Sequence, residues 1–328
     1  MSNTDLIKRG EAYFSEGLYD PAISNYSQAI EAGERTSQLY CLRAKAYLAK
    51  AWEEAGRSPS EEDAYERWAA AFGRKPALLL ALADAAQAVL LDPRNNEAWY
   101  GLGLIQLDKG CWAEALAAFD KCLELTPEDT EAMYWRAVAL DEQGDTDKAL
   151  ETLAGVIAGW EDCSEAYYMR SQILTAKNDL DAALADISRA VELEPEAPEY
   201  FLQRGKILSY MAEKPEGAAH LPEAISDLSE ALRLDPKCAE AYNWRSLAYL
   251  QAEDDKNELK DLDALIDLEP QHAEAYRRRY DCLTACGRRP EAAMDWLYHC
   301  TLKPAAIADP IAEAGRRIAA DFKKLSGN

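Results

Sequence analysis

NEAWYGLGLIQLDKGCWAEALAAFDKCLELTP, residues 96–127, decides the fold. Its first half places Trp99, Leu102 and Gln106 on one face at helical spacing, with Gly103 where a neighbouring helix can come close. Lys109-Gly110 breaks the run. The second half sets Ala115, Phe119 and Cys122 on the inner face of another helix. Pro127 ends it, because proline lacks an amide donor and clashes with the preceding turn. Small residues facing a large ring let two helices pack tightly, so the segment predicts a helical hairpin.

The hairpin recurs. Prolines closing apolar runs stand at Pro93, Pro127, Pro195, Pro236, Pro270 and Pro304, with gaps of 34, 68, 41, 34 and 34. A second marker keeps the same time: Ala22, Ala81, Ala115, Ala149, Ala183, Ala224 and Ala292 are separated by 59, 34, 34, 34, 41 and 68. Both series contain a period of 34 and the same seven extra residues, and the 59 is one period with 25 added. A fixed period of this length marks stacked units that bury their apolar faces against one another. The units fall at about 3–36, 37–95, 96–129, 130–163, 164–197, 198–238, 239–272 and 273–306. The 25 extra residues lie around Ala51 to Lys75, where Ser60 to Asp63 reads as a capping box ahead of a short extra helix. The seven lie near EKPEGAAH, residues 213–220, and read as a longer loop. Asp309-Pro310 opens a last helix within 307–328, whose stripe of Ile311, Ile318, Phe322 and Leu325 is expected to cap the array.

With Trp99, Leu102 and Gly103, then Ala115, Phe119 and Pro127, the third unit resembles the tetratricopeptide repeat nearly place for place. It departs at Gln106, where that family prefers Tyr. The first unit follows the frame with Gly10, Tyr13, Ala22, Tyr26 and Ala29. The seventh follows it with Tyr242, Tyr249 and Leu262, but Glu258 fills a slot for a small residue and is expected to loosen packing. The resemblance implies an all-α fold: an α-solenoid, a right-handed superhelix of antiparallel helix pairs with a C-terminal capping helix. It also implies that the first helices line a concave groove where family members bind peptides.

The places turned toward that groove hold Lys8, Glu11, Cys41 and Lys45 early in the chain. Tyr100 and Leu104 follow, then Tyr134, Trp135 and Val138, then Tyr168, Met169 and Gln172. Leu202, Gln203 and Lys206 come next, then Asn243, Trp244 and Leu247, and finally Arg277, Arg278 and Asp281. The middle of the expected groove is aromatic and its far end basic. Two readings stand for Tyr100, Tyr134 and Tyr168: packing between helices, or anchoring a partner. For Trp135 and Trp244 anchoring is favoured, because no core place there needs a large ring. Arg277 and Arg278 form either a solvated face or a clamp for carboxylates. The family's chaperone-tail clamp uses Lys, Asn and Arg on three successive first helices. The matching places hold Ile7, Glu11, Leu42, Glu97 and Gly101, so that clamp is not expected. Glu97, Glu131, Glu165, Glu199, Glu240 and Glu274 recur at helix starts, where a carboxylate favours the helix dipole; the other reading is an acidic ladder for a basic ligand.

Composition narrows the function. A net charge of −23 repels phosphate backbones, so nucleic acid is not expected as a partner. The stretch from Ala273 to Asn328 is the exception, with 10 Lys/Arg against 7 Asp/Glu. No run approaches the roughly 20 apolar residues that cross a bilayer, and the N-terminus lacks an apolar leader, so a cytoplasmic location is expected. Eight scattered cysteines without a CxxC pair argue against a disulfide scaffold. Of three histidines, His299 shares a hairpin with Cys282, Cys286 and Cys300, yet small buried cysteines are commoner than metal sites, and no metal or cofactor is expected. No phosphate loop, nucleophile elbow or zincin motif occurs, so the chain is not expected to be an enzyme. The expected function is a scaffold or adaptor holding a protein or peptide in the groove. The alternatives are a self-assembling module, with homo-oligomers formed through its ends or insert, and a non-catalytic regulatory subunit.

Overall fold

A computed structural model describes residues 2–54, 76–213 and 215–302. The expected extra helix after residue 54 and the expected cap at 307–328 lie outside these. Sixteen α-helices occur among the described residues and no strand does. In chain order they are α1 Asn3–Ser15, α2 Tyr19–Glu31, α3 Ser37–Glu54, α4 Pro76–Leu91, α5 Asn96–Asp108, α6 Trp112–Leu125, α7 Thr130–Glu142 and α8 Thr146–Gly159. Then follow α9 Ser164–Ala176, α10 Leu180–Leu193, α11 Pro198–Ala212, α12 Leu221–Leu234, α13 Ala239–Gln251, α14 Asp255–Leu268, α15 Ala273–Ala285 and α16 Arg289–Leu302. Odd-numbered helices open hairpins and even-numbered ones close them.

The helices divide into two compact units, residues 1–166 and 167–328. In the first, α1 packs on α2, α3 on α4, α5 on α6 and α7 on α8, and α2, α4 and α6 also pack on the next opening helices α3, α5 and α7. In the second, α11 with α12, α13 with α14 and α15 with α16 repeat the scheme. Opening helices of neighbouring hairpins also touch, α3 with α5 in one unit and α11 with α13 in the other. Each unit is thus a stack of helix pairs, the α-solenoid construction.

Local chemistry sets the helix ends. Asn95 and Asp129 accept hydrogen bonds from the Ala98 and Ala132 amides, 3.2 and 3.0 Å, and so cap α5 and α7. Inside the hairpins the chain turns through left-handed backbone: Gly17, Gly110, Gly144 and Gly287 have φ between 70° and 88°. Asn178 and Glu253 stand at the equivalent turns with φ of 62° and 56°. Closer in, a side chain on Gly103 would meet the Phe119 ring at 2.6 Å, one on Gly205 would meet Leu228 at 2.6 Å, and one on Gly10 would collide with the Tyr26 ring. Glycine there lets the paired helix bring a large residue against the backbone. The seven extra residues form more than a loop: Pro215–His220 is a 3-10 turn between α11 and α12.

A ladder of arginines ties the hairpins together. Arg170, Arg204, Arg245 and Arg279 on opening helices each grip a buried aspartate of their own closing helix with two nitrogens: Asp186, Asp227, Asp261 and Asp295, at 2.6 to 2.8 Å. Arg43 holds Asp84 in the same way at 2.7 and 2.8 Å. Several reach backward as well, Arg43 to Ser27, Arg245 to Ser229 and Arg279 to Asp263, on the preceding closing helix. Each of these five guanidiniums also lies over a ring three residues earlier, Tyr40, Tyr167, Phe201, Tyr242 and Tyr276, at 5.6 to 5.8 Å from its centroid. One side chain thereby joins its own hairpin and its neighbour, with the geometry that makes bidentate pairs strong.

Candidate functional site

Unit one holds Tyr100, Leu104, Tyr134 and Trp135 on α5 and α7, all half-buried. Tyr100 sets its ring edge-on to Phe119, centroids 6.2 Å apart, and its hydroxyl lies among Glu131 and Trp135. Burial first, then the Glu131 charge, pushes its phenol above the usual range. Trp135 meets Tyr134 edge-on at 5.3 Å. Leu104, Trp135 and Val138 pack on the core formed by Phe119, Ala132 and Ala139. Tyr100, Leu104 and Trp135 thus pack across the seam between hairpins while part of each side chain stays accessible.

Unit two holds the others. Tyr168 packs on Tyr200, ring centroids 5.1 Å apart, beside half-buried Met169, and Gln172 is exposed. Trp244 is braced on three sides. Its ring meets Tyr210 edge-on at 5.0 Å, the Lys206 ammonium lies 5.8 Å from its centroid, and its Nε1 donates to Glu240 at 3.3 Å. Lys206 also donates to Glu240 at 2.7 Å. A half-exposed indole is thus held in one orientation by a cation, a carboxylate and a phenol.

Two expected site residues belong to the interior. Gln203 is buried and donates to Thr175 Oγ1 at 3.3 Å. Arg278 is only 7% exposed and donates to Asn243 Oδ1 at 3.1 Å, Ser246 Oγ at 2.8 Å and Glu258 Oε1 at 3.4 Å. It is neither a solvated residue nor a clamp, because the Glu258 that breaks the small-residue rule stands opposite it and is itself buried. Burial pushes the Glu258 carboxyl up and the Arg278 guanidinium down, while their mutual attraction opposes both shifts. Asn243 is occupied by this contact.

The basic far end is also corrected. Half-exposed Arg277 is held between Glu274, 2.6 Å, and Asp281, 3.0 Å, and Arg279 is engaged by Asp263 and Asp295. Adjacent carboxylates thus neutralise all three consecutive arginines. The recurring helix-start glutamates do more than answer the dipole: Glu97 joins Lys45 and Gln38 of the preceding opening helix, and Glu240 joins Lys206. Sequence reasoning missed Tyr210 and Glu240 as partners of Trp244. Lys206 and Glu240 are 34 residues apart, one repeat, and that spacing is the signal that finds them.

Stacked helix pairs with this periodic architecture define a helical-repeat protein. The chain belongs to the tetratricopeptide repeat family: models of that repeat match residues 7–76, 79–130 and 217–273, residues 106–173, and residues 164–196. No curated protein matches the sequence. Among solved structures, PilF of Pseudomonas aeruginosa is similar at 18% identity with a TM-score of 0.57, over 68% of this chain and 99% of that one. A tetratricopeptide repeat protein of Parabacteroides merdae is similar at 18% identity and 0.51, over 77% and 94%. YrrB, described as a TPR protein with an unusual peptide-binding site, is similar at 24% identity and 0.49, over 60% and 97%.

Proposed function

We propose that this chain is a protein-interaction scaffold that takes a partner protein or extended peptide on the exposed face of its opening helices. The observation that carries this is Trp244. A half-exposed indole, fixed by Tyr210, Lys206 and Glu240, offers a partner a large surface already ordered before binding. Trp135 with Tyr134 gives unit one a comparable anchor. Tyr100, Leu104, Tyr168, Met169 and Gln172 extend the two faces, and Arg277 adds a rim contact.

The reading is non-catalytic, in keeping with a sequence that carries no phosphate loop, nucleophile elbow or zincin motif. It is disfavoured for nucleic acid by the net charge of −23. A reducing, cytoplasmic setting fits eight cysteines that are all free. Among the described residues no helix is long and apolar enough to cross a membrane.

Affinity capture with the intact chain tests the proposal. Trp135→Ala and Trp244→Ala, together, are expected to abolish recovery of the specific partner while the far-ultraviolet dichroism stays that of the parent. Recovery of the same protein in equal amount by the doubly substituted chain would refute it.

A further inference from the structure

We propose that Asp255, Cys282 and Cys286 form a binding site for a thiophilic divalent cation of the zinc class. It would tie the closing helix of the seventh hairpin, α14, to the opening helix of the eighth, α15. The ligand atoms of these three residues all lie within 4.8 Å of one another. Cys282 and Cys286 are one helical turn apart, so their sulfurs share a face, and Cys286 is the C-cap of α15. Asp255 is the first residue of α14. Cys286 Sγ is 3.7 Å from Asp255 Oδ2, and Cys282 Sγ is 3.5 Å from the Asp255 carbonyl oxygen.

These distances suit the metal. With zinc–sulfur bonds of about 2.3 Å and zinc–oxygen bonds of about 2.0–2.2 Å, the edges of a tetrahedron are about 3.6–3.8 Å. The Cys286–Asp255 edge already has that length, and the rest closes by small χ rotations. Glu258, buried one turn along α14, lies beside the Cys282 thiol and is itself paired with Arg278. Two thiols and the Asp255 carboxylate make a soft ligand set, with Glu258 behind them sharing its charge with Arg278. On binding, the cation replaces the two thiol protons, which pass to solvent, and Asp255 coordinates as the anion. Cys286 and Asp255 are exposed, which leaves the fourth position to water.

His299 and Cys300, which share the hairpin, take no part. His299 is buried with its Nδ1 2.8 Å from the Ala273 carbonyl oxygen, and Cys300 is buried in the core with Trp296.

Cobalt(II), a spectroscopic stand-in for zinc, tests the site on the full chain under reducing conditions. One equivalent is expected to give a near-ultraviolet thiolate-to-cobalt charge-transfer band that zinc then erases. Cys286→Ser and Asp255→Asn alter exposed residues and are each expected to weaken binding at least about tenfold. Cys111→Ser, in the third hairpin, should leave it unchanged. Absence of a thiolate–cobalt band in the parent chain would overturn the proposal. So would a band that survives Cys286→Ser at full intensity and affinity.

Discussion

Arg278 and Glu258 show how one side chain can mislead. Glu258 violates the repeat's pattern in its hairpin, and each is buried because the other is there. Removing one partner leaves a charge without compensation, so Glu258→Ala or Arg278→Met is expected to cost roughly 3–5 kcal/mol in urea unfolding, whereas the double change to apolar residues should recover most of it. A coupling near zero between the two sites would contradict the pairing. The sequence offered only that Glu258 was odd; an arginine 20 residues later on the facing helix was indistinguishable from a surface charge. Three further residues carry a pH dependence. Burial raises Tyr26 to about 12, Cys41 to about 11 and Cys122 to about 12, with Glu11, Glu97 and Asp129 adding to it. The folded chain keeps protons that the unfolded chain gives up. Stability from these groups is therefore full below the unfolded values near 9 and 10 and lost as pH rises toward 12. Urea midpoints are expected to fall between pH 8 and 11, less steeply for Tyr26→Phe.

At the scale of the element, the hairpin was legible because its markers are packing requirements. Gly103 has to be small where Phe119 crosses, and proline has to follow the second helix; neither depends on context far away. Gly103→Ala is accordingly expected to lose about 1–3 kcal/mol through overpacking, read by thermal unfolding. Glu253 is the converse case. It occupies the left-handed turn that glycine holds in four other hairpins, so Glu253→Gly is expected to gain about 1 kcal/mol. A loss would show that the Glu253 side chain matters more than its backbone. The arginine ladder was present in the sequence as Arg170 and Arg204 at the 34-residue period, with Arg245 and Arg279 following the insertion. It passed unnoticed because the family pattern puts leucine there, and a half-buried guanidinium reads as solvated until its aspartate is seen. Asp261→Ala, which strands Arg245, is expected to cost roughly 2–3 kcal/mol.

For the whole molecule, the period alone determined the class of fold, since units that cannot bury an apolar face alone must stack. The interaction surface was only half legible. Periodicity picks out which positions face away from the hairpin core, but not which of them a neighbouring hairpin recruits. Gln203 and Arg278 were recruited; Trp135 and Trp244 keep exposed surface. The sequence also overstated the basic end, because charge counting cannot see that Arg277 and Arg279 each have two carboxylates beside them. On the proposed reading, what distinguishes a partner for this chain is apolar and aromatic complementarity more than charge. Hydrogen–deuterium exchange on the captured complex addresses that claim most directly. The account predicts that binding slows exchange in the opening helices α7 and α13, which carry Trp135 and Trp244, and leaves the closing helices α8 and α14 near their free rates. Protection confined to the closing helices would contradict it.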